Sequence, residues 1–156
     1  MTRFKRCNLR FFPFLYLPQT AVELQRDKPC LWLCVTAIAS RQMSKQRERV
    51  SRVQEMFAER IAGKLDASID LLLALLCYIH WAHFQGKHPV TIRTSITIFA
   101  QLALALVFDL GLNQPVAKDP PQLTCIPPPH LRPPPRQPRT MDERRAVLGT
   151  FVTVST

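Results

Sequence analysis

A chain of 156 residues with 47% apolar side chains can bury one core, but 14 prolines against only 4 glycines call for a local explanation. Lys and Arg number 21 against 11 Asp and Glu, and the net charge of +10 suits a polyanion, an acidic partner, an anionic membrane surface or a merely solvated basic exterior. The cysteines, at 7, 30, 34, 77 and 125, are odd in number and irregularly spaced, which argues against a disulfide framework and for a reducing compartment.

The opening MTRFKRCNLRFFPFLYL joins basic residues to a short apolar run. Pro13 splits that run and no small-residue cleavage site follows, so 1–19 reads as a basic strand or loop, not a secretory signal. Thr20 and Glu23 have capping-box spacing and start a short helix that ends before Pro29. Pro29 suits the first turn of the next helix, PCLWLCVTAIASR. There Leu31, Val35, Ile38 and Ala39 recur at helical spacing, and Trp32 and Leu33 widen the apolar face.

From Ser44 to Ala62 the stripe Val50, Val53, Phe57 and Ile61 runs among Lys45, Arg47, Arg49, Arg52, Glu55 and Glu59, the pattern of an amphipathic surface helix stopped by Gly63. Asp66 or Ser68 can cap IDLLLALLCYIHWAHFQ, which ends near Gly86; apolar almost all round, it belongs in the middle of a bundle. Pro89 opens a helix carrying Ile92, Ile96, Phe99, Leu102, Leu106 and Leu110, and Gly111, Asn113 and Pro115 terminate it. These two apolar helices raise a rival reading, a small membrane-associated protein with a basic N-terminus. Two histidines in the first helix, and Arg93, Gln101 and Asp109 in the second, speak against spans.

Ten of the 14 prolines fall in 114–139, including Pro127, Pro128 and Pro129 and then Pro133, Pro134 and Pro135. Missing amide donors and fixed φ angles make this stretch a linker, either solvated or displayed as polyproline II to a binding module. Thr140 and Glu143 repeat the capping-box spacing and open TMDERRAVLGTFV. The expected architecture is all-α: a partial helical bundle with a Pro-rich insertion, divided into 1–19, a helical region 20–113, the linker 114–139 and the start of a further helix over 140–156.

Sites for chemistry are hard to assemble from these residues. Cys77, His80 and His83 share one helix at spacings of three, but the outer two sit about 120° apart and no second element brings further ligands, so they read as core residues. Cys30 and Cys34 stack on one helical face without the two-residue spacer of a redox pair. Pro29 places Cys30 near a helix N-terminus, which would lower its thiol pKa, yet two small core residues are the plainer reading. There is no Gly-x-Ser-x-Gly, and Gly63, Gly86, Gly111 and Gly149 sit at helix ends or packing positions, not in a phosphate-cradling loop. The sequence therefore nominates no catalytic, cofactor-binding or metal-binding residue and implies no enzyme. Basic residues cluster at Arg3, Lys5, Arg6 and Arg10 and at Arg41, Lys45, Arg47, Arg49 and Arg52, but an element shaped to read bases is missing, and DNA-contacting residues stay unassigned.

Several blocks, in order, resemble the central regulatory, or middle homology, region of fungal binuclear zinc-cluster transcription factors. RFFPFLYLP at 10–18 resembles its lead-in segment, and KPCLWLCVTAIASR at 28–41 its first long helix. SIDLLLALLCYIHWAHFQ at 68–85 resembles the central helix, QLALALVFDLGLN at 101–113 the next, and DERRAVLG at 142–149 the start of a later one. The resemblance implies a nuclear, non-enzymatic regulator that works through protein partners: the rest of its regulatory domain or the transcription machinery. The six-cysteine cluster that reads DNA in such factors, and the coiled coil that follows it, have no counterpart among these residues. The expectation is a truncated regulatory segment, covering the first half of such a domain, with wide apolar faces and no sequence-specific DNA reading of its own.

Overall fold

Apolar residues three and four apart, in runs separated by Pro or Gly, give helices joined by short connections. The computed structural model describes residues 13–18, 20–62, 67–84, 90–114 and 138–155, with backbone alone for 61–62, 83–84 and 90–95. Among the described residues there are six helices and no strand: α1 (Ala21–Asp27), α2 (Pro29–Ile38), α3 (Met43–Ala62), α4 (Ile69–Phe84), α5 (Val90–Asp109) and α6 (Met141–Ser155). The all-α expectation agrees with this. Residues 13–18 form a turn and an irregular stretch that buries Leu15 and Leu17, while the basic residues before Pro13 lie outside the described residues.

α4 is the axis of the bundle. From Leu71 to Ile79 every side chain is buried, because α2, α5 and α6 all pack against it. α2 also touches α1 and α3, and α6 also touches α5. The amphipathic α3 turns Val53 and Phe57 fully inward and half-buries Val50.

The helix ends follow local chemistry. Both capping boxes form: Glu23 N donates to Thr20 Oγ1 at 3.2 Å, and Glu143 N to Thr140 Oγ1 at 3.2 Å, with each glutamate accepting from its own cap amide. Of the two candidates for α4, Ser68 is the one seen to cap, its Oγ accepting from Leu71 N at 3.2 Å; Asp66 lies outside the described residues, as do Gly63, Gly86, Pro89 and Pro115. α5 stops in a Schellman arrangement: Gly111 has φ of 64°, its amide donates to Phe108 O, and Leu112 N reaches Val107 O. Leu112 is buried beside that turn.

α6 approaches the bundle through small residues. Ala146, Gly149 and Thr150 are buried, and the Thr150 hydroxyl is satisfied within its own helix by Ala146 O at 2.9 Å. The stretch 115–137, with most of the Pro-rich linker, lies outside the described residues.

Candidate functional site

The N-terminus of α2 begins with an unsolved local problem. Lys28, its N-cap, makes no side-chain capping bond, and its first turn has no acidic residue, so amide donors at the positive end of the helix dipole need an outside acceptor. Asp70, in the first turn of α4, supplies it. Cys30 N donates to Asp70 Oδ2 at 2.9 Å and Leu31 N to Asp70 Oδ1 at 3.0 Å, so a single carboxylate serves the N-termini of two packed helices. The sequence reading did not single out Asp70. The signal was available: a helix opened by Lys-Pro, with neither cap nor first-turn acid, leaves amide donors that a neighbouring carboxylate can answer.

Lys28 itself is turned to α6. Its Nζ donates to Asp142 Oδ2 across 114 positions of sequence, with both side chains partly buried. On the other side of that carboxylate, Arg145 Nη1 lies 3.9 Å from Asp142 Oδ1, and the Arg145 guanidinium stands 5.3 Å from the centroid of the Tyr16 ring. The DERR segment thereby divides its work. Asp142 takes Lys28, Glu143 closes the capping box, Arg144 is exposed, and Arg145 covers Tyr16. Arg139, just before α6, donates to Gln114 O after α5. The lead-in segment, the start of α2 and the start of α6 are thus joined by one polar junction.

Beneath lies an aromatic and sulfur-containing core. The Phe57, Tyr78 and Phe99 rings meet pairwise at centroid distances of 5.3 to 5.7 Å, and Trp81 stands 5.9 Å from Tyr78. The Tyr78 hydroxyl accepts from Gln54 Nε2 at 2.8 Å, which keeps it satisfied although burial raises its pKa. Cys30, Cys34 and Cys77 are buried free thiols. Burial, then the charge of Asp70, pushes the Cys30 thiol up to about 11, so the lowering expected of a helix N-terminus does not occur. The dipole is already answered by a carboxylate that repels a thiolate. Burial alone lifts Cys77 to about 12, and burial and neighbouring Cys77 raise Cys34.

Of the considered metal set, Cys77 is buried and His80 directs Nδ1 at Leu76 O, 2.9 Å away, while the His83 side chain lies outside what is described. No group of three or more metal-ligating side chains occurs among the described residues. Arg41, Lys45, Arg47, Arg49 and Arg52 are all exposed, along α3 and its approach. No described helix is long and apolar enough to cross a membrane. The arrangement offers paired charges and packed rings, a means of fixing helices against one another.

Comparison with known proteins gives two related sequences. The chain is 33% identical over 162 aligned residues to transcription factor opdL of Penicillium oxalicum (strain 114-2 / CGMCC 5302), covering 97% of this chain and 28% of that protein. It is 26% identical over 114 residues to transcription factor himD of Aspergillus japonicus, covering 71% of this chain and 18% of that protein. The chain therefore spans less than a third of the length of either relative. No family model matches, and no solved structure does. Both relatives are fungal and named as transcription factors, in agreement with the zinc-cluster regulatory region that the sequence blocks resemble.

Proposed function

We propose that this chain, a homologue of fungal transcription factors over nearly its whole length, is a non-catalytic helical segment of a regulatory region that acts in the nucleus through protein partners and reads no DNA bases by itself. The observation that carries this reading is the junction of Tyr16, Lys28, Asp142 and Arg145. Lys28, Asp142 and Arg145, which belong to blocks that make the chain resemble a regulatory region, are engaged in holding those blocks together and are tied to one another rather than turned to a substrate. The outer face of α6 supplies a surface for the partner. Leu148, Phe151 and Val152 are exposed there, opposite the buried Ala146, Gly149 and Thr150, and the remainder of a regulatory domain is the partner that suits so apolar a face.

A reporter assay tests the proposal. The chain is placed between a heterologous DNA-binding domain and an activation domain, and output is compared with a neutral linker of equal length. The expected result is a changed output that Asp142→Lys abolishes and that the charge swap Lys28→Asp with Asp142→Lys restores. Output equal to the linker's, or indifferent to Asp142→Lys, would sink the regulatory reading.

A further inference from the structure

The exposed side of α3 is charged against its own helix. A helix is stabilised by acids in its first turn and bases in its last, because they oppose the charges of its macrodipole. α3 has no acid in its first turn, and 41–52 carries Arg41, Lys45, Arg47, Arg49 and Arg52 with Glu48 as the single acid. None of these five bases forms an ion pair among the described residues, and all are exposed. One has work inside the fold: Arg49 Nη1 donates to Thr36 O at 3.2 Å, beside Gln46 Nε2 on Ile38 O at 3.4 Å, covering carbonyls at the end of α2 that lack helical partners. Those bonds lie on the same side of α3 as the buried Val53 and Phe57, and together they fix the orientation in which the adjoining flank shows its bases. Arg41, Lys45 and Arg52 make no such bond among the described residues.

The chemistry of this face selects its partner. Protein interfaces are built on buried apolar and aromatic anchors, and here Met43 is the one exposed large apolar residue. Interfaces with DNA are polar and strongly positive and can do without such anchors. Lys45 and Arg52, seven residues apart on one flank, span about 10 Å of helix, the axial reach of about three successive phosphates of one strand.

We propose that Arg41, Lys45 and Arg52, with Arg49 behind them, form a surface that seats on the phosphate backbone of double-stranded DNA without reading its bases. Such contact adds affinity and positions the protein but carries no sequence information, so it is compatible with a segment that does not recognise a site. The inference goes beyond the regulatory reading and does not depend on it, because a binding measurement on the chain tests it with no reporter.

The experiment is a salt titration, from 50 to 200 mM, of the full chain on a fluorescently labelled 20-bp duplex, followed by anisotropy, with circular dichroism to verify folding of each variant. The chain is expected to bind two unrelated duplex sequences equally. Each phosphate contact contributes about 0.9 to the slope of log K against log salt, so the triple variant Arg41→Gln, Lys45→Gln and Arg52→Gln should lower the slope by about 2.7. Its loss of affinity over that range should then be about 40-fold smaller than that of the parent chain. Three results would overturn the proposal: no binding at 50 mM, an unchanged slope in the triple variant, or an equal fall when the same charge is removed by Arg3→Gln, Lys5→Gln and Arg6→Gln. Displacement of the duplex by polyglutamate as readily as by unlabelled duplex would overturn it as well and point to an acidic protein.

Discussion

Asp70 shows how one side chain can settle two helix ends. Its carboxylate accepts from Cys30 N and Leu31 N while it sits in the first turn of α4, so Asp70→Ala leaves two amides at the start of α2 without their acceptor and removes a favourable charge from both dipoles. A cap deletion costs about 0.5–2 kcal/mol, and this double role puts the expected loss at the upper end, about 2 kcal/mol in urea unfolding, with Asp70→Asn in between. Less than about 0.5 kcal/mol would mean that water replaces the carboxylate without penalty. The thiols give a second residue-scale prediction. Burial disfavours the thiolate and pushes Cys30 up to about 11 and Cys77 up to about 12 in the fold, whereas an unfolded thiol titrates at about 8.5. Protonation therefore favours the folded state. The stabilisation is complete below about 8.5 and is lost as pH climbs towards the folded values. Thermal unfolding followed between pH 8 and 11 should show a falling midpoint, with a shallower fall in Cys77→Ala; equal slopes would place the alkaline sensitivity on other groups.

At the scale of elements, the contacts of α3 and α6 carry separate energies. Phe57 is fully buried and its ring meets both Tyr78 and Phe99, so Phe57→Ala should cost about 3–5 kcal/mol and loosen α3 from the bundle. The Lys28–Asp142 pair is only partly buried, and a double-mutant cycle with alanine at each position should return a coupling of about 1 kcal/mol. A coupling near zero would show that α6 is held by its small-residue face alone. Much of this level was legible in the sequence, because its rules are local. The two capping boxes, Pro29 in a first turn, Gly111 as a terminator and the all-round apolar α4 depend on spacings within one segment. What connects distant segments was not legible. Nothing near Lys28 announces Asp142, and the DERR motif was recognisable as a resemblance while the roles of its Asp and second Arg appear only once α6 lies beside α2 and Tyr16.

At the scale of the molecule, α6 is built with its bulk outward. Ala146, Gly149 and Thr150 face the bundle, where small side chains allow close approach, while Leu148 is 55% and Phe151 71% exposed on the opposite side, with Val152 flanking Leu148. A helix facing only water would carry polar residues there. The face therefore asks for cover, and in the isolated chain the nearest available cover is another molecule. Burying a Leu or Phe side chain contributes about 1.5–3 kcal/mol, so removing two from a contact should weaken association by about two decades in concentration or more. Sedimentation velocity of the chain across a concentration series is expected to show self-association that Leu148→Glu with Phe151→Glu shifts to higher concentration by that amount. Helical content should not change, because neither side chain contributes to the core and the capping box at Thr140 and Glu143 is untouched. Unchanged association would move the sticky surface to α5, where Ile98 and Phe108 are also exposed, while loss of helicity would show that α6 depends on its outward residues for its own formation.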